Sequence, residues 1–203
     1  MTLPARLVVA TNNAHKAEEI KALLGGRFDE VLTLKEMNIN VDPKEDGATF
    51  FDNALLKARA AAEFTDLPVL ADDSGLCVDF LDGRPGVYSA RYAGAGASYG
   101  QNNDKLLAEL ADAPDGARSA HFECCVVLLF NDGSYLSADG RSDGTITHRA
   151  FGENGFGYDP YFYSEELKKT FAEAEGQEKN AVSHRARALA ALSEKLTDFI
   201  SRG

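Results

Sequence analysis

The chain has 203 residues, 44% hydrophobic and 26% charged, a balance that fits a folded globular protein and excludes disordered, collagen-like and membrane-embedded classes. That length suits one domain, or one domain with two lobes. Lys plus Arg number 21 against 32 Asp plus Glu, a formal net charge of -11, so no general positive field draws in DNA, RNA or an anionic membrane, and any phosphate must be met by local groups.

Taken in chain order, Leu7, Val8, Val9 and Ala10 form a short apolar run that predicts a buried strand; it turns polar at Thr11, too soon for the apolar region of a signal peptide. A polar turn then opens a helix that carries Ile20, Leu23 and Leu24 on one face and stops at Gly25 and Gly26. Thr49 stands in the cap position of a second helix running through Phe64, with Phe51, Leu55, Ala58 and Ala62 as its buried stripe and Asn53 and Lys57 together on another face. Pro68 leads into a strand over residues 69–71, Asp72-Asp73-Ser74-Gly75 predicts a turn, residues 76–80 form a further strand and residues 83–86 a loop. Residues 121–130 and 134–140 flank Asn131-Asp132-Gly133, a hairpin signal, because Asp-Gly tolerates the positive φ of tight turns. Ser183 can cap a long amphipathic helix in which Ala186, Leu189, Leu192, Leu196 and Phe199 recur at helical spacing. Strands mixed with helices imply an α/β or α+β fold. With no repeat, low-complexity tract or linker, residues 1–203 read as a single domain.

Cysteine and histidine usage bounds the compartment and the metal chemistry. There are 3 cysteines, Cys124 and Cys125 being adjacent and so on opposite faces of a strand, which suits a reducing, cytoplasmic interior. The 4 histidines, His15, His121, His148 and His184, lie apart without HxxxH or CxxC spacing, so spacing predicts no tightly held zinc or iron. Any metal is expected to be hard and oxygen-bound.

Four stretches can carry chemistry. In Thr11-Asn12-Asn13-Ala14-His15-Lys16 a strand gives way to a helix, where free backbone N–H groups, the helix dipole and Lys16 favour a phosphate; an Asn-rich capping turn is the plain alternative. Ala71-Asp72-Asp73-Ser74-Gly75 offers two carboxylates at a strand end; neighbouring side chains diverge, so one can serve a cation while the other braces the turn. Glu45-Asp46-Gly47 could complete an acidic pair or simply shape a turn. Residues 151–160 alternate glycine with aromatic and polar residues; as a binding loop, Phe156 or Tyr158 would stack on a base and Asp159 accept from ring N–H groups, whereas a tight aromatic corner is the structural alternative. Lys179-Asn180-Ala181-Val182-Ser183-His184-Arg185 places cations in the first turn of the last helix, against its dipole, which an electron-rich ligand would offset; two solvated side chains would need none.

In order and spacing, these stretches resemble the inosine/xanthosine triphosphate pyrophosphatases, the RdgB-like house-cleaning enzymes, over nearly the whole chain. The resemblance rests on Thr11-x-Asn13-x-x-Lys16, Glu45-x-Gly47-x-x-Phe50, Asn53-Ala54-x-x-Lys57-Ala58, Ala71-Asp72-Asp73-Ser74-Gly75-Leu76, Pro85-Gly86-Val87-Tyr88-Ser89-Ala90-Arg91-Tyr92, Gly155-Phe156-Gly157-Tyr158-Asp159-Pro160 and Ser183-His184-Arg185. It implies an α/β fold with a mixed central sheet and flanking helices, two lobes around a nucleotide cleft, a homodimer and magnesium dependence. Carried over by position, Thr11, Asn12, Asn13, Ala14, His15 and Lys16 would bind the triphosphate, Glu45 and Asp73 hold Mg2+, Asp73 accept the proton, and Lys57 and Ser74 touch substrate. Phe156, Gly157, Tyr158 and Asp159 would form the base pocket, and Lys179, His184 and Arg185 would contact the nucleotide, the last two at the base. Asn12 and His15 stand where some relatives have glycine, a departure that bears on the backbone path around the phosphates.

The implied reaction converts a deaminated purine nucleoside triphosphate (ITP, dITP or XTP) and water to the monophosphate and pyrophosphate. Such purines carry a 6-oxo acceptor where adenine has a donor, so donors at His184 and Arg185 would match them and oppose ATP. A Maf-like pyrophosphatase of other modified or pyrimidine nucleotides, or a non-catalytic nucleotide sensor, are the rival readings; a sensor would have no need of Asp73 and Glu45 at a metal.

Overall fold

The computed structural model describes residues 5–202. The opening apolar run forms β1 (Arg6–Val9), and α1 (Ala14–Leu24) follows, with the side chain of Asn13 accepting from the His15 and Lys16 N–H groups and Gly25 at the other end. Strand β2 (Glu30–Thr33) precedes α2 (Phe50–Ala62), where Thr49 and Asp52 each accept from the other's backbone N–H in a reciprocal capping box. Strand β3 (Val69–Val78), helix α3 (Tyr99–Glu109), the long strands β4 (Ser119–Leu129) and β5 (Tyr135–Ile146), the short β6 (Phe162–Ser164) and β7 (Lys169–Thr170), and helices α4 (Gly176–Val182) and α5 (His184–Arg202) complete the chain.

All strands join one sheet in the order β2-β1-β3-β4-β5-β6-β7. Strand β1 runs parallel to β2 and β3, whereas β6 runs antiparallel to β5 and β7, so the sheet is mixed, as expected for this α/β class. The chain divides into two compact units. The first holds the residues up to Asp73, Cys124–Gly140 and those from Arg185 on; the second holds Ser74–Glu123 and Arg141–His184. The first unit buries Leu7, Val9 and Leu70 of the sheet with Ile20 and Leu24 of α1 and Leu189, Leu192 and Leu196 of α5, each fully buried aliphatic contributing about 1.5–3 kcal/mol. The core of the second unit centres on Leu76, Val78, Leu106, Leu110, Phe122, Phe162 and Phe171. No helix among the described residues is long and apolar enough to cross a membrane.

Three local expectations change. The turn expected at Asp72-Asp73-Ser74-Gly75 is the middle of β3, which stays extended because both aspartates are buried beside basic or amide partners. The buried stripe of α2 is Phe50, Ala54, Ala58 and Ala61 with Asn53, one residue around from the expected stripe. Asn53 is fully buried because its amide is bonded to Asp73 and Gly47, which turns that face inward. Helix α3 was not expected; its signal is Ser98-x-x-Gln101, a capping box ahead of a polar run in which only Asn102, Asn103 and Leu106 are buried. The expected hairpin is present between β4 and β5, closed by bonds from Phe130 N–H to Ser134 O and from Gly133 N–H to Phe130 O, with Gly133 at φ +83.

Candidate functional site

In the first unit, the carboxylates expected to pair do converge. Glu45 Oε1 lies 2.9 Å and Asp73 Oδ1 3.1 Å from the same nitrogen, Lys57 Nζ. Glu45 precedes Gly47, whose N–H donates to Asn53 Oδ1 at 2.9 Å, while Asn53 Nδ2 donates to Asp73 Oδ2 at 3.1 Å. The α2 spacing of Asn53 and Lys57, one turn apart, therefore presents an amide and an ammonium to one aspartate. A Cβ at Gly47 would lie 2.6 Å from Asp52 Cβ and 2.7 Å from Asn53 Oδ1, so this approach needs a glycine. Burial would lower the Lys57 ammonium, but Asp73, Asp72 and Glu45 outweigh it and raise its pKa. Two carboxylates against one ammonium leave a negative surplus, and both offer hard oxygen donors to a cation in the place that the ammonium takes.

Asp72 faces a different set. Its Oδ2 accepts from Lys16 Nζ at 3.0 Å and from Arg185 Nη2 at 3.0 Å, and Arg185 Nη1 also donates to Glu19. Burial would raise the Asp72 carboxyl, but Lys16, Arg185 and Lys57 hold it far below the ordinary carboxylate range. The neighbouring Cys124 thiol is pushed up to about 12 by burial, with Asp72 adding to the effect. Divergence along the strand thus separates the aspartates: Asp73 belongs with Glu45 and Lys57, Asp72 with Lys16 and Arg185. Arg185, expected at a base, is 1% exposed and its guanidinium is held by Asp72 and Glu19, partners that sequence reasoning did not find. The expected phosphate turn is ordered by its own groups: Asn13 caps the His15 and Lys16 N–H groups, Asn13 N–H donates to Thr11 Oγ1, and Asn12 Nδ2 donates to Val41 O. Ala14 and His15 are exposed in the first turn of α1.

The second unit holds the glycine-aromatic loop. Asp159 Oδ2 accepts from Phe156 N–H at 2.8 Å and from Lys179 Nζ at 2.7 Å, and both partners of that ion pair are buried. Lys179 Nζ also lies 4.9 Å from the centroid of the Phe156 ring, a cation–π contact that fixes one ring face. Tyr158 donates its hydroxyl proton to Ser89 O at 2.9 Å and is buried, so it anchors the loop while Phe156 stays half-exposed. Asn103 Nδ2 of α3 donates to Gly157 O at 3.0 Å, and Tyr99 of the same helix packs its ring 6.2 Å from that of Phe156. Sequence reasoning missed both because α3 was not expected. His184 is 4% exposed and stacks on Phe122 at 4.7 Å, and Ser74 is half-buried in β3.

Gly155 sits at φ +73, and a Cβ there would come within 2.2 Å of Asp159 Oδ2. We expect Gly155→Ala to cost about 2 kcal/mol or more, from left-handed strain together with displacement of the buried carboxylate from Lys179. Urea unfolding of the two proteins measures it, and a loss below about 0.5 kcal/mol would mean that the loop is not held by Asp159.

A sequence model described as the Ham1 family matches residues 7–195. The chain is 50% identical over 191 residues to a dITP/XTP pyrophosphatase of Geobacter sulfurreducens, covering 94% of this chain and 96% of the relative. It is 46% identical over 201 residues to a dITP/XTP pyrophosphatase of Clostridium perfringens, covering 96% and 98%. A solved HAM1 protein from Coxiella burnetii superposes with a TM-score of 0.84 at 42% identity, covering 95% of this chain and 98% of that one. With the family match, sequence relatives and structural likeness each extending over nearly its whole length, this chain belongs to the Ham1 family.

Proposed function

We propose that the protein hydrolyses deaminated purine nucleoside triphosphates (ITP, dITP and XTP) to the monophosphate and pyrophosphate, removing them from the nucleotide pool. The activity for which its relatives are named supports this reading, and the observation that carries it in this chain is the convergence of Glu45 and Asp73 on one cationic position. In the reaction, a water oxygen forms a bond to the α-phosphorus, the bond from that phosphorus to the bridging oxygen breaks, and the pyrophosphate leaves with the bond's electron pair.

The donor set suits Mg2+, which Glu45 and Asp73 would hold and which would supply charge neutralisation on the leaving pyrophosphate. Asp73, oriented by Asn53, accepts the proton of the attacking water, with positioning supplying much of the activation. Lys57 and Lys16 carry positive charge toward the phosphates, along with the N-terminal turn from Thr11 to Lys16, and Ser74 touches the substrate. Arg185 enters as the group that fixes Asp72, and through it Lys16. At the base, Phe156 provides the stacking face in a frame of Gly157, Tyr158 and Asp159, Lys179 contacts the nucleotide beside that face, and His184 provides a donor for the 6-oxo group. The homodimer belongs to the same reading, as the family resemblance implies.

Pyrophosphate release from ITP, XTP, ATP, GTP, CTP and UTP, with and without Mg2+, tests the proposal. We expect kcat/KM for ITP and XTP to exceed that for ATP by at least about 100-fold, since a donor opposed by a donor leaves buried groups unpaired. Equal turnover of ATP would overturn the selectivity, phosphate release instead of pyrophosphate would overturn the site of attack, and preference for a pyrimidine would favour the Maf-like reading.

A further inference from the structure

We infer that Cys77, His121 and Glu123 form a second cation site, separate from the carboxylate pair of Glu45 and Asp73, that takes a borderline divalent transition-metal ion of the Zn2+ class. The alternation of two strands places the three together. On β3, Leu76 and Val78 face the core of the second unit, so Cys77 faces the other way; on β4, Ala120 and Phe122 face that core, so His121 and Glu123 share the opposite face. Strands β3 and β4 are neighbours in the sheet. One ligand atom from each residue lies within 4.8 Å of the others, and His121 Nε2 is already 3.8 Å from Glu123 Oε2.

Zinc bonds of about 2.0–2.3 Å in a tetrahedron set ligand atoms about 3.3–3.8 Å apart, so the histidine–glutamate edge fits and the cysteine edges, at no more than 4.8 Å, need to close by about 1 Å at most. The donor types agree with such an ion. Sulfur, imidazole nitrogen and one carboxylate select a borderline cation over Mg2+, and three protein ligands leave a fourth position for water. The His121 ring has a buried nitrogen, Nδ1, without a hydrogen-bond partner, so the fold does not use up both of its polar atoms. Burial, aided by Arg141, lowers the pKa of His121 against the pull of Glu123, Asp79 and Asp143, which favours the neutral ring that binds metal. Burial, with Glu123 and Asp79 adding, pushes the Cys77 thiol up to about 11, so the unloaded site keeps its sulfur protonated; binding forms the metal–sulfur bond and releases the thiol proton to water. Sequence spacing gave no sign of this cluster because Cys77 and His121 are 44 positions apart, and only strand pairing brings them together.

The test is a titration of the purified full-length protein, stripped with chelator, using Co2+ as a spectroscopic probe and then Zn2+. A near-ultraviolet thiolate-to-cobalt band should appear, Zn2+ should displace it, and Zn2+ affinity should fall by about 100-fold or more in Cys77→Ser and in His121→Gln. In the unmodified protein, Zn2+ should slow alkylation of Cys77, followed by mass spectrometry of its peptide, while Cys124 and Cys125 change little; this arm needs no variant to fold. Absence of the band, its survival in Cys77→Ser, or alkylation of Cys77 that is indifferent to Zn2+ would overturn the site. None of these readings depends on nucleotide hydrolysis.

Discussion

Asp73→Asn is expected to lower kcat by about 10⁴-fold while nucleotide binding survives. The substitution preserves shape, and the new amide can still present its oxygen to Asn53 Nδ2, which donates to Asp73 at 3.1 Å. What disappears is the negative charge that Lys57 Nζ meets at 3.1 Å and that is proposed both to hold the metal and to take the proton from water. Loss of a general base alone costs about 10²–10⁴-fold, and removing a metal ligand in the same change places the expectation at the upper end. Single-turnover pyrophosphate release, read beside nucleotide binding by calorimetry, separates the two quantities. Full activity in this variant would remove Asp73 from its assigned role, and joint loss of binding and folding would make it a structural residue.

The second large effect is on stability. Asp72→Asn should destabilise the protein by about 3–5 kcal/mol, the usual consequence of removing one member of a buried ionic group. Arg185, only 1% exposed, would then keep Glu19 as its carboxylate, while Lys16 would lose the charge it meets at 3.0 Å. The pH dependence follows from the same contacts. Because the folded state holds the Asp72 carboxyl well below its unfolded value, its contribution is present above the ordinary aspartate range near about pH 4 and is lost as the pH falls further. Urea midpoints of the parent protein should therefore drop on acidification below that range, and the Asn variant should show a smaller drop. A loss under about 1 kcal/mol at neutral pH would show that the cations find other partners.

Much of this was legible in the chain, and the exceptions share a cause. Strand β1, the Asn13 and Thr49 caps and the hairpin through Gly133 depend on neighbours a few residues away, so local propensity suffices to find them. The break predicted inside β3 failed because Asp72 and Asp73 read as turn residues by composition, and their burial depends on Lys16, Arg185, Asn53 and Lys57 from other segments. Arg185 is the complementary case. A cation opposing a helix dipole suggested an external ligand, whereas Asp72 and Glu19 meet it from within the chain, across 113 and 166 residues. The pairing of Glu45 with Asp73 came from resemblance, since no spacing rule connects a loop residue to a strand residue 28 positions later. Helix α3 did have a local signal in Ser98 and Gln101, but its mostly polar run hid the helical period.

The ammonium between Glu45 and Asp73 bears on how the protein rests between encounters. Without it, two like charges that converge on one point would spread apart, and each loading would then have to gather them again. A tethered counter-ion removes that reorganisation: it cannot diffuse away or be chelated, and it yields its place by a swing of one flexible stem. Chelator treatment should accordingly leave these side chains poised, with readiness maintained by the polypeptide itself.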